Sequence, residues 1–242
     1  MDILWITGML VIVLAGFIQG LTSFGFALIT LPFLAQLVPL TEAVPLVVIL
    51  SLCTNLVIFT QTRDFIDLRS IWLLILCSVL AAPLGTKLLL VVEAGLLKAV
   101  SGAVIVVAAG LLLAGRSYPI RRERLGMVPV GILTGLLNGS ISMSGPPVVL
   151  FLSNQGVDKQ VFRANLNVYG ILLNLVTIST FIYSGLITEA VLLQTAWYIP
   201  CLLIGVLIGL KAVRRLNEQR FKRFALGFIL ISGGWLLIQS LF

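Results

Sequence analysis

Two short polar runs interrupt the apolar sequence of this chain, and they contain the residues best suited to bind a ligand. The first extends from Gln19 to Gly25 and the second from Asn138 to Pro147, and both combine glycine with hydroxyl groups. A helix that begins after a break of this kind has free backbone N–H groups and a partial positive charge at its start. Such helix starts bind anions. The two runs therefore predict an anion site built from broken helices.

Polar residues of neighbouring segments extend the predicted site. Asn55 and Asn174 belong to two other apolar segments, where each amide either faces the site or bridges two helices. Arg163 lies near a segment start, where a cation is unfavourable against the helix dipole unless a partner holds it. It either attracts the anion, or extends to the membrane interface, or pairs with Asp158. The candidate binding residues are Gln19, Thr22, Ser23, Gly25, Asn55, Asn138, Ser140, Ser142, Ser144, Gly145, Pro146, Arg163 and Asn174.

The chain lacks the residue combinations that most enzymes use. It contains no histidine, no GxxxxGK[ST] sequence and no HExxH sequence, so phosphate-loop and zinc-protease chemistry are excluded. Its three cysteines lie singly in apolar segments, which is typical of buried thiols. Glu42, Glu93 and Glu189 lie near segment ends, so no acidic residue is placed for an intramembrane proton relay. We therefore expect no enzyme activity, no cofactor and no metal site.

Composition indicates what surrounds the chain. Charged residues make up only 10% of its 242 residues, hydrophobic residues make up 60%, and the mean hydropathy is +1.16. Soluble domains contain about 25% charged residues. Uncharged stretches such as 70–86 and 165–188 suit the ~20 residues of a membrane-spanning helix. The net charge of +7 fits basic cytoplasmic loops better than nucleic-acid binding. We predict an all-α integral membrane protein that contacts the lipid bilayer and no nucleic acid.

Glycine, proline and charge clusters divide the chain into ten helical segments. Segments 25–38, 126–138 and 143–154 are short, and at ~1.5 Å per residue they reach only about 20 Å of the ~30 Å hydrocarbon core. These three are predicted to be half-helices or re-entrant segments. The other predicted segments are 3–21, 42–61, 69–91, 96–115, 161–184, 188–210 and 219–241.

Recurring residues indicate an internal repeat. Three residues recur at an offset of 115 and three others at an offset of 124. We therefore predict two membrane repeats of about five segments each, 1–115 and 126–242, joined by a basic linker at 116–125. The recurring pairs are Gly16 and Gly131, Gly20 and Gly135, Pro32 and Pro147, Gly85 and Gly209, Lys87 and Lys211, and Lys98 and Lys222.

Positive charge indicates how the repeats are oriented. The linker carries four arginines and the run from Lys211 to Arg223 carries six basic residues, so both are predicted to be cytoplasmic. Each repeat then crosses the membrane an odd number of times, and the two repeats are inverted relative to each other. Both chain termini are predicted to face the periplasm. Paired short, interrupted segments in two such halves mark the substrate site of a transporter.

In these positions the chain resembles the TauE/SafE sulfite-exporter family of anion permeases over nearly its whole length. Many members have a longer glycine run where this chain has Thr22 and Ser23. The matching residues are Gly16, Gln19, Gly20, Ser23, Phe24, Gly25 and Pro32 in the first half, and Gly131, Gly135, Ser144, Gly145, Pro146, Pro147, Phe162, Arg163 and Ala164 in the second.

The resemblance implies transport of sulfite, sulfoacetate or a related small organosulfur anion across a bacterial inner membrane. The residues alone leave two other functions open, namely an anion channel and a transporter of small carboxylates. Substrate, direction, coupling ion and oligomeric state are not determined by the sequence, which is compatible with a homodimer. We expect a carrier whose small anionic substrate binds between the two repeats.

Overall fold

The computed structural model describes residues 3–114, 123–155 and 158–213. Every regular element in these ranges is helical, which confirms the all-α prediction. The elements are α1 Ile3–Thr22, α2 Phe26–Leu37, α3 Leu40–Thr62, two 3₁₀ turns at Arg63–Phe65 and Leu68–Ser70, α4 Trp72–Val91, α5 Ala94–Ala114, α6 Glu123–Ile141, α7 Gly145–Asn154, α8 Lys159–Tyr183 and α9 Glu189–Ala212.

Four helical stretches are long and apolar enough to cross a bilayer. They contain 20 to 26 residues, which corresponds to about 30–39 Å at ~1.5 Å per residue. Their outer faces expose large apolar side chains, such as Leu80 at 68% and Trp197 at 64%. Exposed apolar surface on this scale is unfavourable in water and is expected in lipid. The four stretches are Leu40–Phe65, Trp72–Val91, Lys159–Tyr183 and Glu189–Ala212.

Two of the three helices predicted to be short are short. Helix α2 has 12 residues and α7 has 10, so they extend about 18 Å and about 15 Å. The prediction of a short sixth helix at 126–138 is wrong, because α6 runs without interruption for 19 residues. The helix extends three residues beyond each predicted end, and Gly139, just after the predicted end, packs against the backbone of α4. The tenth segment and linker residues 116–122 lie outside the described residues.

Glycines bring two pairs of helices into backbone contact. A Cβ atom at Gly16 of α1 would lie 2.9 Å from the Leu202 carbonyl oxygen of α9. A Cβ atom at Gly131 of α6 would lie 2.8 Å from the Leu74 carbonyl oxygen of α4. Both distances are too short for a side chain, so these positions require glycine. The pairs α1–α9 and α4–α6 flank α3 and α8, which pack against each other in the centre.

The chain leaves the helix in the same way after α1 and after α6. Ser23 follows α1 with φ 64°, and Ser142 follows α6 with φ 58°. The two serines are 119 residues apart (142 minus 23), and the starts of α3 and α8 are also 119 apart (159 minus 40). The offset of 115 expected from glycines would instead align Ser23 with Asn138, which lies inside α6. The offset of 115 is therefore about one helical turn shorter than the 119 residues that separate the two observed breaks.

Candidate functional site

A small cavity lies where the two helix breaks meet α3 and α8. Its volume is about 50 Å³, which suits a ligand of a few heavy atoms rather than a drug-sized molecule. Nine of the thirteen predicted site residues line it, so the structure brings most of both polar runs together. The nine are Gln19, Ser23, Gly25, Asn55, Ser142, Ser144, Gly145, Pro146 and Asn174.

The first break places the start of α2 at the cavity. The Ser23 N–H closes α1 on the Gln19 carbonyl oxygen at 2.7 Å, and Gly25 precedes α2 with φ 102°, a conformation that favours glycine. Gly25 has no side chain to cap the first N–H groups of α2, and the first of them, that of Phe26, bonds to the Gln19 side chain. Thr22 bonds instead to the carbonyl oxygens of Ile18 and Phe24 at 2.8 and 2.6 Å. Thr22 thus secures the end of α1 and does not line the cavity.

A chain of hydrogen bonds fixes the orientation of Asn55. The backbone N–H of Phe26 donates to Gln19 Oε1 at 3.1 Å, so the other end of the Gln19 amide must be its N–H₂ group. Gln19 Nε2 then donates to Asn55 Oδ1 at 3.1 Å. Asn55 is only 4% exposed, and its Nδ2 donors are left for the cavity. Its side chain fits against α8 because residue 170 is glycine, where any Cβ atom would collide with Nδ2.

A second chain of hydrogen bonds orients Asn174 in the same sense. The Thr177 hydroxyl donates to the Leu173 carbonyl oxygen at 2.9 Å, so it accepts from Asn138 Nδ2, also at 2.9 Å. Asn138 Nδ2 also donates to Asn174 Oδ1 at 3.1 Å. Asn174 therefore presents Nδ2, which donates to Ser51 Oγ at 3.3 Å. Asn138 does not line the cavity and acts through Asn174.

The second break places the start of α7 opposite the start of α2. The Ser142 N–H bonds to the Asn138 carbonyl oxygen at 3.0 Å, as Ser23 does with Gln19. Helix α7 begins at Gly145, and Pro146 occupies its first turn as the sequence predicts. Ser140 lies in the last turn of α6, and its hydroxyl donates to the Leu136 carbonyl oxygen at 2.7 Å. Ser140 therefore stabilises α6 and is not part of the cavity wall.

Arg163 lies one hydrogen bond behind the cavity. Its Nε donates to Ser23 Oγ at 2.9 Å, and its Nη2 donates to the Gly20 carbonyl oxygen at 3.0 Å. The side chain is 7% exposed, so it does not extend to the surface. The end of α1, with its partial negative charge, is thus a partner for this cation. Arg163 reaches the cavity through Ser23 and does not line it.

The sequence prediction omits several residues of the site, and four of them bear on its polar groups. Ser51 lies one turn before Asn55 on α3, and Gly170 lies one turn before Asn174 on α8. This spacing puts each pair on one helix face. It is the sequence feature from which Ser51 and Gly170 could have been predicted. Tyr169 lines the cavity, and Thr177 orients Asn138. Their contacts come from other helices, which nothing in the local sequence indicates.

Three buried hydroxyl groups on α4, α6 and α8 form a hydrogen-bonded cluster. Tyr169 bonds to Ser78 of α4 at 2.8 Å and to Thr134 of α6 at 2.7 Å. Ser78 and Thr134 are 2.9 Å apart. The cluster therefore links α4, α6 and α8 behind the cavity.

The cavity wall of the described residues contains no Asp, Glu, Lys or Arg. Its polar side chains are amides and hydroxyls, together with the backbone at the starts of α2 and α7. Neutral donors of this kind stabilise a negative charge when they converge on it in a site that excludes water. The arrangement is suited to binding a small anion and has no catalytic constellation.

Comparison with known proteins identifies the family of the chain. The family model described as "Sulfite exporter TauE/SafE" matches residues 8–236. A curated protein of Cupriavidus necator, described as "Probable sulfite/organosulfonate exporter TauE", is 26% identical over 232 residues, covering 93% of this chain and 90% of that protein. No solved structure matches the chain. Because the family match covers nearly the whole sequence, the chain belongs to the TauE/SafE family of sulfite exporters, which are membrane transporters and not enzymes.

Proposed function

We propose that this protein exports sulfite or a small organosulfonate across a bacterial inner membrane, and that the substrate binds in the cavity between the two helix breaks. The relative from Cupriavidus necator carries both substrates in its description. The observation that supports the location most strongly is the shared orientation of Asn55 and Asn174. Both amides are fixed so that N–H₂ groups, which attract anions, face the same cavity.

The size and charge of the cavity support a small anion. A volume of about 50 Å³ accommodates an ion the size of sulfite better than a long organic acid. Sulfite offers three oxygen acceptors, which match donors arriving from two helix breaks and two amides. A carboxylate offers only two, so small carboxylates are the less favoured substrates.

We infer that residues 1–115 and 126–242 form two inverted repeats joined by the basic linker at 116–125. The common offset of 119 residues supports this arrangement, because it aligns α1 to α4 with α6 to α9. It also aligns Gln19 with Asn138 and Asn55 with Asn174, which form equivalent hydrogen bonds. The packing pairs α1–α9 and α4–α6 exchange under the same offset. Substrate sites of many transporters lie between repeats of this kind.

The driving force follows from the charge of the substrate. The wall of the cavity holds no acid or histidine that would carry a proton with the anion. Moving one negative charge out of a cell with a negative interior gains about 2.3 kcal/mol per 100 mV. The membrane potential is therefore sufficient for export without a proton relay. Transport should persist when the pH gradient is removed and the potential is held constant.

Substrate binding to the purified full-length protein tests the function. Thermal stabilisation and calorimetry with sulfite, methanesulfonate, thiosulfate and acetate should give the strongest binding to a sulfur oxyanion. Ser142→Asp should abolish binding, and Ser142→Asn is the matched neutral control, because both residues tolerate the left-handed conformation found at Ser142. A folded Ser142→Asp protein that binds sulfite as the wild type does would contradict the proposed site.

Flux measurements separate a carrier from an anion channel. A carrier in proteoliposomes should show flux that saturates with substrate concentration and is accelerated by substrate on the opposite side. A channel would keep one continuous aqueous path, and its flux would rise without counter-transport. Flux that rises linearly with substrate concentration and shows no exchange would contradict the carrier and identify the protein as an anion channel.

A further inference from the structure

We propose that the cavity selects oxyanions in their fully deprotonated form and discriminates against forms that carry an acidic proton. This inference rests on the proposed function, since it concerns the chemical state of the anion bound there. It follows from the direction of each hydrogen bond around the cavity, because those directions determine whether a donor or an acceptor is left for the ligand.

Ser23 is left as a donor. Arginine has no acceptor, so Ser23 Oγ must accept the bond from Arg163 Nε at 2.9 Å. The hydroxyl proton of Ser23 is therefore directed to another partner, and Ser23 lines the cavity. The guanidinium charge also polarises this hydroxyl and strengthens it as a donor.

Ser51 is left as a donor for the same reason. Its Oγ accepts from Asn174 Nδ2, and its proton has no acceptor within the described part of the chain. Asn174 has a second N–H on Nδ2, and Asn55 has both of its own. Each of these three side chains lines the cavity. The side chains of fixed orientation thus present N–H and O–H groups to the ligand.

Each amide oxygen at the cavity already accepts one hydrogen bond from within the protein. Asn55 Oδ1 accepts from Gln19, Gln19 Oε1 accepts from the Phe26 N–H, and Asn174 Oδ1 accepts from Asn138. A ligand O–H would therefore have to share an amide oxygen that already accepts a bond, whereas the oxygens of a deprotonated ligand meet free N–H and O–H groups. A buried ligand donor with a poor acceptor is unfavourable, so the protonated form should bind more weakly.

The wall itself does not titrate near neutral pH. Among the described residues, the ionisable side chain that lines the cavity is Tyr169, whose hydroxyl bonds to Ser78 and Thr134. Arg163 on α8 lies behind Ser23, and Cys53 on α3 is not part of the wall. The pH dependence of binding should therefore come from the ligand alone.

The test compares two anions on the purified full-length protein between about pH 6 and about pH 8. Sulfite loses its last proton near neutral pH, whereas methanesulfonate stays ionised throughout. Below the pKa of sulfite, its apparent Kd should rise about tenfold per pH unit, following its deprotonated fraction. The Kd of methanesulfonate should change less than about twofold over the same range.

Two results would overturn the proposal in different ways. Sulfite binding that stays constant or tightens at acid pH would show that the protonated ion binds, and the proposed anion site would survive without this selectivity. Binding of neither anion at any pH would overturn the proposed function together with this inference. Gly95→Ala serves as a second protein in the same titration and should show the same pH slope as the wild type, because Gly95 does not line the cavity and no atom lies within 4 Å of a Cβ atom at that position.

Discussion

Each helix break is connected to a pair of carboxamides, one just before the break and one on a neighbouring helix, but different neighbours hold each pair in place. In the first break Gln19 reaches the Phe26 N–H and holds Asn55. In the second break Asn138 is shorter by one methylene and bonds to Thr177 while it holds Asn174. Either route leaves an N–H₂ group facing the cavity. The orientation of the amide is thus the common feature, and the means of fixing it differs.

The breaks also differ in the groups behind them. A buried cation, Arg163, supports the first break through Ser23. Neutral hydroxyls of Tyr169, Ser78 and Thr134 instead link α6, the helix that ends at the second break, to α4 and α8. The first break should therefore contribute more electrostatic attraction for an anion, and the second should contribute more to the stability of the helix packing. The variants below test this difference from the largest expected effect to the smallest.

Introducing a negative charge at either amide should have the largest effect on sulfite affinity. Asn55→Asp or Asn174→Asp replaces a donor with a carboxylate, and two negative charges about 4 Å apart repel by ~4 kcal/mol at an effective dielectric constant of ~20. Sulfite affinity should fall by more than about a hundredfold in calorimetry. Asn165→Asp is the matched control, because Asn165 bonds to Asp67 and Ser70 away from the cavity and its Oδ1 can keep the Asp67 N–H. An equal loss of sulfite affinity in Asn165→Asp would show that the effect does not depend on placing the charge at the cavity.

Arg163 and Tyr169 test the two kinds of support directly. Arg163→Gln removes a charged donor behind Ser23 and should weaken sulfite binding about tenfold to a hundredfold, since a hydrogen bond to a charged group contributes about 1.5–3 kcal/mol. The loss should persist as salt rises, because the charge is buried. Tyr169→Phe should lower the free energy of unfolding by about 1 kcal/mol. It should change the affinity for sulfite by less than about threefold. Equal effects of both variants on affinity would contradict the difference between the breaks.

Gly170→Ala tests whether Asn55 must lie against α8. The added methyl group would collide with Asn55 Nδ2 and displace the amide without changing any charge. Affinity should fall by about tenfold, which corresponds to one misplaced hydrogen-bond donor. Gly95→Ala is the control, because no atom lies within 4 Å of a Cβ atom at that position. Normal binding by a folded Gly170→Ala protein would remove Asn55 from the site.

Thr177→Val should have the smallest effect among the variants that disturb the amides of the cavity. It removes the acceptor that orients Asn138 but leaves Asn138 bonded to Asn174. The expected loss of binding free energy is about 0.5–1.5 kcal/mol. Thr60→Val at the exposed end of α3 provides the comparison, since the Thr60 hydroxyl bonds only within its own helix. A loss as large as that of Asn174→Asp would show that Thr177 contacts the ligand itself.

The helix breaks were predictable because their causes are local. Glycine at residue 25 permits the left-handed conformation before α2, proline at residue 146 restricts the backbone at the start of α7, and the hydroxyls beside them mark polar surroundings. The same reasoning failed for α6, since it ended the helix before Gly139. Gly139 instead packs against the backbone of α4, and this contact comes from a distant part of the chain. A helix interruption can be inferred from local residues only when no neighbouring helix compensates for it.

The partners of the amides were not predictable, because they depend on tertiary contacts. Gln19 and Asn55 are 36 residues apart, as are Asn138 and Asn174, and the sequence left open whether these asparagines face a cavity or bridge helices. They do both. Arg163 was expected to need a partner, but the partners Ser23 and Gly20 lie 140 and 143 residues away. Long-range hydrogen bonds of this kind leave no signal in residue spacing.

The most direct test is to locate the bound anion. At alkaline pH, where it is fully deprotonated, selenite has the shape and charge of sulfite and contains a heavier atom, so anomalous diffraction from crystals of the full-length protein would show its position. We predict a single strong site between the starts of α2 and α7, with its oxygens about 3 Å from Asn55 Nδ2 and Asn174 Nδ2. A selenium peak elsewhere in the molecule, with the cavity occupied by water, would contradict the account.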